Sequence, residues 1–137
     1  MIVVVDTNII ISGLINPNSS SGTILKLILS GKIKLGIDNR ITNEYREVLL
    51  RKKFNFEKES VDHILEEIES DGTKIIPEPL DLALPDKDDL PFLEVAEAGN
   101  IKILITGNRK HFPKKNYSQV KIFSPAEFIK EYDKLKQ

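Results

Sequence analysis

Apolar positions along the chain switch repeatedly between strand-like runs and helix-like stripes. Ile2-Val3-Val4-Val5 is an unbroken β-branched run, as expected for a parallel strand covered on both faces. The longer apolar opening, MIVVVDTNIIISGL, lacks a basic leader and is interrupted by Asp6 and Asn8, so it reads as a buried first strand rather than a signal peptide. A helical stripe follows at Ile24, Leu25, Ile28 and Leu29, with Gly31 as its terminator. Residues 33–37 form a second short strand. The spacing then predicts a helix over 40–53, with Ile41, Tyr45, Val48 and Leu49 on one face. Another is predicted over 57–70, striped by Val61, Ile64, Leu65 and Ile68 and closed by Asp71-Gly72. Residues 74–76 read as a strand.

Pro77, Pro79 and Pro85 make 77–87 an irregular connection. A helix begins near Asp88 or Asp89, with Pro91 tolerated in its first turn, and ends at Gly99-Asn100. Residues 101–105 form a buried strand followed by the turn Thr106-Gly107-Asn108, and 120–123 form the last strand. Ser124-Pro125-Ala126-Glu127 is a capping box with proline at the first helical position, opening the closing helix. Strands separated by helices imply an α/β fold, a three-layer sandwich with a mainly parallel central sheet flanked by helices. Ligands of such sheets bind beyond the carboxyl ends of the strands.

With 137 residues, the chain is one domain, 1–137, with no repeat, linker or low-complexity tract. Its 40% hydrophobic and 30% charged content fits a folded domain, and no apolar run is long enough to cross a bilayer. The absence of cysteine removes disulfides and thiolate chemistry and agrees with a cytoplasmic protein. Twenty Lys and Arg against 21 Asp and Glu do not by themselves mark a nucleic-acid binder. Their distribution is more informative. Basic residues bunch at Arg46, Arg51, Lys52 and Lys53, and again at Arg109, Lys110, Lys114 and Lys115. Either group reads first as a solvated face, and phosphate contact matters only if both flank one site.

Candidate chemistry lies in the acids. Asp6 ends the first strand, either as a carboxylate at the functional edge of the sheet or as a cap for the following helix. Glu44 sits at the border of the buried face of its helix and needs a partner, a protein cation or a metal. Asp86, Asp88 and Asp89 crowd a helix start; one of them caps it, and three exceed what capping requires. Thr106, Gly107 and Asn108 offer a hydroxyl, an open backbone and an amide, suited to a metal-bound water or a phosphate, and equally a plain polar turn. No G-x-S-x-G, G-x-x-x-x-G-K-[ST] or G-x-G-x-x-G stands in the sequence, and no His pair or thiolate is spaced for zinc.

VVDTNIIISGL, NEYREVLLRKKF, PDKDDLPFLEVAEAG and ILITGNRKHFP occur in this order over residues 2 to about 125. Together they resemble PIN domains, in particular the prokaryotic toxin components of toxin–antitoxin systems related to VapC toxins. The resemblance implies a Mg²⁺- or Mn²⁺-dependent ribonuclease that leaves a 5′-phosphate and a 3′-hydroxyl, with an RNA substrate, a cognate antitoxin and a homodimeric state. Carried over by position, the metal-binding acids are Asp6, Glu44 and Asp89, with Asp88 as a neighbour that shares the ion. Thr106 and Asn108 match the polar turn and complete the catalytic set. The family often has a fourth acid at the position of Asn108 or of His111; Asn and His stand there, which argues against tight binding of a second metal. His111 is open to a contact with substrate phosphate or a role as an acid, while its HFP context reads first as a structural turn; His63 lies off the apolar stripe of its helix. Two alternatives follow from the departures: a catalytically degenerate PIN-like module that binds RNA or protein, or a small-molecule phosphohydrolase with Asp6 as nucleophile. The second is weakened by Asn8, which stands where an Asp-x-Asp motif needs its second acid.

Overall fold

A computed structural model describes residues 1–137. The elements are β1 (Ile2–Val5), α1 (Thr7–Ile15), α2 (Ser20–Leu29), β2 (Lys34–Ile37), α3 (Asn39–Leu49), α4 (Lys58–Asp71), β3 (Thr73–Lys74), α5 (Leu90–Ala98), β4 (Ile103–Ile105), β5 (Asn116–Tyr117), β6 (Val120–Phe123) and α6 (Pro125–Leu135). Short 3-10 turns at Lys52–Phe54 and Lys87–Asp89 precede α4 and α5.

Six strands form one sheet in the order β3-β2-β1-β4-β6-β5. All pairings are parallel except β5 with β6. Successive strand side chains point to opposite faces, yet Val3, Val4 and Val5 are all fully buried, so β1 is covered on both sides. This is the predicted α/β architecture, a mainly parallel sheet with helices packed on it. Strand order reverses between β1, whose chain continues to β2, and β4 on its other side. The crevice beyond the carboxyl ends of these two strands is therefore the expected ligand position.

The predicted stripes form the core except at Leu29, which is exposed, and Val48, which is partly buried. Ile24, Leu25 and Ile28, then Ile41, Tyr45 and Leu49, then Val61, Ile64, Leu65 and Ile68 are all buried. Each such aliphatic side chain contributes about 1.5–3 kcal/mol relative to exposure. Gly31 closes α2 with φ of 78°, a backbone conformation that costs glycine little, and Asn100 turns out of α5 with φ of 53°. The capping box at Ser124 and Glu127 is formed in both directions.

Several elements differ from expectation. α1 was not anticipated. Thr7, Ile9, Ile10, Ile11 and Gly13 are all buried and the exposed polar strip is only Asn8 and Ser12, so the amphipathic period is weak and the β-branched run resembles a strand. α3 stops at Leu49 rather than Lys53, because Arg51 turns extended (φ −63°, ψ 135°) before the next turn begins. β3 is shorter than 74–76: Ile75 still donates to Ile37, but Ile76 leaves the sheet ahead of Pro77 and is 91% exposed. β4 starts at Ile103, because the Ile101 amide is still bonded to Ala96 at the end of α5. β5, two residues long, is too short to leave a pattern. The apolar faces of α1 and α2 pack inward, leaving Ile15 and Leu29 as their exposed large side chains.

Candidate functional site

The register places the site's first two side chains together. Val5 of β1 pairs with Ile105 of β4, and the next residues are Asp6 and Thr106. The Asp6 amide donates to Ile105 at 3.0 Å, and the Thr106 amide donates to Phe123 at 2.9 Å, so both are fixed to the sheet edge by backbone. The Thr106 hydroxyl donates to Asp6 Oδ2. Although Asp6 occupies the N-cap position of α1, its side chain makes no cap hydrogen bond, which removes the capping reading. Asp6 is 3% exposed, and its Oδ1 is buried with no hydrogen-bond partner.

Glu44 arrives from α3. The neighbouring Tyr45 is fully buried, and its hydroxyl donates to the Val5 carbonyl at 2.6 Å, fastening α3 to β1 one residue before Asp6. Burial, and then the nearby Asp6 charge, hold the Tyr45 phenol well above its ordinary value, so it remains a donor. The Thr7 hydroxyl donates to Glu44 Oε2. Thr7 and Thr106 thus each hold one oxygen of a pocket carboxylate.

Asp89 ends the 3-10 turn before α5 and, like Asp6, makes no cap bond. Asp86 caps the 3-10 turn itself, accepting from the Asp88 amide at 2.9 Å. Asp89 Oδ2 is buried without a hydrogen-bond partner; His111 Nδ1 lies 3.3 Å away, close enough for charge but not aligned as a donor. On the other side of its ring, His111 Nε2 is 3.4 Å from Asn108 Nδ2. Asn108 Oδ1 accepts from the Lys110 amide and its own amide donates to Thr106 Oγ1, which closes the turn.

Asp6, Thr7, Asn8, Glu44, Arg51, Asp86, Asp88, Asp89 and His111 line one cleft of about 250 Å³. Of the residues expected from the sequence, Asp6, Glu44, Asp88 and Asp89 line it directly; Asp88 is exposed at its rim, and Thr106 and Asn108 act from behind through Asp6 and His111. Burial first, then the Asp89 charge, push the Asp6 carboxyl up to about 6 against the bond from Thr106. Burial also raises Asp89 to about 6, opposed by His111 and reinforced by Asp86, Glu44 and Asp88. Two buried carboxylate oxygens without donors, in a cleft whose acids repel one another, are the setting in which a bound cation is stabilising. No three Asp, Glu or His side chains form a ready-made cage. A cation here would touch few protein ligands and keep several waters, as Mg²⁺ does.

Three features were not read from the sequence. Arg51 lies in the cleft; Glu44, Val48 and Arg51 recur at helical spacing, a signal that was available. His111 contacts the site rather than serving only as a turn. Glu94, buried on α5, pairs with Arg40 at 2.6 Å and accepts from the Leu80 amide at 2.8 Å, tying the 77–87 connection to α3 and α5. Nothing in the sequence distinguishes this glutamate from its exposed neighbours.

An α/β fold with an acidic crevice at the strand-order reversal is the class that these features define, and comparison gives it a family. Residues 2–110 match the PIN domain model, and the chain belongs to the PIN domain family. The matched span holds Asp6, Glu44, Asp88, Asp89, Thr106 and Asn108 and stops one residue short of His111. An uncharacterized protein of Methanocaldococcus jannaschii is 33% identical over 143 aligned positions, covering 96% of this chain and 92% of that protein. A solved structure, VapBC2 from Rickettsia felis bound to a DNA fragment from their promoter, matches with a TM-score of 0.58 at 18% identity, covering 90% of this chain and 98% of that one. At that identity the likeness is one of fold. No helix is long and apolar enough to cross a membrane.

Proposed function

We propose that this chain is a divalent-metal-dependent ribonuclease, the toxin of a toxin–antitoxin pair in the cytoplasm. The observation that carries the reading is the meeting of Asp6, Glu44 and Asp89, far apart in sequence, in one cleft, with Asp6 Oδ1 and Asp89 Oδ2 buried and without hydrogen-bond donors. Asp6 and Asp89 would hold Mg²⁺ or Mn²⁺, with Glu44 and Asp88 reached through its waters. When bound, such an ion supplies an activated water and relieves charge on the phosphoryl oxygens.

The chain's own residues prepare the site. Thr106 takes Asp6 Oδ2 and leaves Oδ1 buried without a donor. Thr7 does the same for Glu44, leaving Oε1 without that hydroxyl. Asn108 Nδ2 lies against Nε2 of the His111 ring, whose Nδ1 faces Asp89. Tyr45 keeps α3, and with it Glu44, in register with the end of β1.

Cleavage of a single-stranded RNA, followed with Mg²⁺, with Mn²⁺ and with chelator, tests this reading. Wild-type protein should cut only with metal, and Asp6→Asn and Asp89→Asn should each lose more than about 100-fold, beyond the usual loss of a supporting group. Activity surviving both changes sinks the assignment. The absence of a fourth acid at Asn108 and His111 favours a second reading, a PIN-like module that binds RNA without turnover; a wild-type chain that binds RNA and never cuts it with either metal would establish that one.

An antitoxin partner and a homodimer belong to the same proposal. Expression of the bare chain should slow growth, and co-expression of its partner should restore it. With the apolar faces of α1 and α2 committed to the core, Ile15 and Leu29 are the large apolar positions those helices leave for a second copy.

A further inference from the structure

Five carboxylates line the cleft, and one side chain of permanent positive charge, Arg51. Even with a divalent cation bound, acids outnumber positive charges there, so a polyanionic strand needs cations at the rim to approach. Glu44, Val48 and Arg51 form one wall of the cleft, spaced to lie along one face of the chain as it leaves α3. Arg51 has one ion-pair partner, Glu47 at 3.2 Å, and both are about half exposed or more, so the pair holds the guanidinium weakly.

Lys52 and Lys53 continue from Arg51, exposed, and neither appears in any ion pair. The segment is nonetheless anchored. Phe54 and Phe56 stack with ring centroids 5.7 Å apart and pack against the core, Asn55 between them is left-handed at φ 54°, and the Lys53 ammonium lies 5.1 Å over the Phe54 ring. Three cations are therefore presented in sequence from the cleft outward on a fixed support. The other basic group differs in position: Arg109 is held by Glu127, and none of Arg109, Lys110, Lys114 and Lys115 lines the cleft.

We infer that Arg51, Lys52 and Lys53 bind the RNA strand beside the scissile bond, with Arg51 on the phosphate nearest the cleft and the lysines on those that follow. A guanidinium fork matches two phosphate oxygens, which suits Arg51 to the innermost position. The inference rests on the nuclease reading, and the two fail differently.

The test uses the full chain carrying Asp6→Asn, so that RNA is not consumed. Binding of a fluorescein-labelled single-stranded RNA is followed by anisotropy across a salt series. Each phosphate contact on a single strand contributes about 0.7 to the slope of log K against log salt, so Lys52→Ala with Lys53→Ala should lower its magnitude by about 1.4. Lys130→Ala with Lys134→Ala, exposed lysines on α6, removes the same charge elsewhere and should leave the slope in place. Arg51→Ala should lower it by about 0.7, and Arg51→Lys should keep the slope while weakening affinity. Equal slope changes in the two lysine pairs, or no binding of RNA at low salt, overturn the inference. Cleavage by the wild-type chain alongside either result would leave the nuclease reading standing; slopes that move as expected, with no cleavage, would sink that reading alone.

Discussion

Replacing Asp6 by Asn should stabilise the metal-free protein while destroying its activity, by an amount that depends on pH. Asp6 ionises at about 6 in the folded chain, against an ordinary 3.8, chiefly because it is buried. Between those two values the folded state binds a proton that the unfolded state has released, so stability falls as pH rises. At 1.36 kcal/mol per pH unit, the ionised carboxylate costs the fold about 3 kcal/mol above pH 7 and far less at pH 4. Asn cannot ionise, and its side-chain oxygen can still accept from Thr106. Urea unfolding of both chains in chelator, from pH 4 to pH 8, should therefore show the difference between Asp6→Asn and wild type growing by about 2.5 kcal/mol, most of it between pH 4 and 6. Added Mn²⁺ should close part of that gap by stabilising the wild-type fold alone. A difference that stays flat with pH would refute the burial argument for Asp6, and with it the case that this carboxylate is held ready for a cation.

Thr106→Val removes the hydroxyl that turns Asp6 and should lower metal-dependent cleavage about 10- to 100-fold, whereas Thr106→Ser should retain most of it; equal losses would deny Thr106 its orienting role. Tyr45→Phe leaves the Val5 carbonyl unpaired and should cost about 1–3 kcal/mol in urea unfolding, with Glu44 less well placed and cleavage reduced. Arg40→Ala leaves the buried Glu94 carboxylate with the Leu80 amide but without its cation and should cost about 1–3 kcal/mol in urea unfolding, whereas Arg40→Lys should recover part of it; equal losses in the two variants would mean that the charge is not what Arg40 supplies.

Strands and amphipathic helices were legible because their periods come from burial on one or two faces, as at Ile2–Val5 and along the stripe of α4. α1 was hidden because its exposed polar strip is only Asn8 and Ser12 beside a run of three isoleucines that reads equally as strand. Asp6, Glu44 and Asp89 could be singled out as acids at odds with their local pattern, but their convergence depends on the β1–β4 register, which no local signal encodes. Which acid caps and which faces the cleft was equally undecidable from Asp86-Lys87-Asp88-Asp89; the turn geometry assigns the cap to Asp86. His111 was read as a turn residue because its contact with Asp89 joins segments brought together only by the fold.

The claim that organises the rest is that one divalent cation sits between Asp6 and Asp89. Anomalous scattering from a crystal of the wild-type chain soaked in Mn²⁺ measures this directly. A single strong peak within direct coordination distance of Asp6 Oδ1 and Asp89 Oδ2, lost in Asp6→Asn, is the result predicted. Density confined to other carboxylates, or an empty cleft at high Mn²⁺, would contradict it.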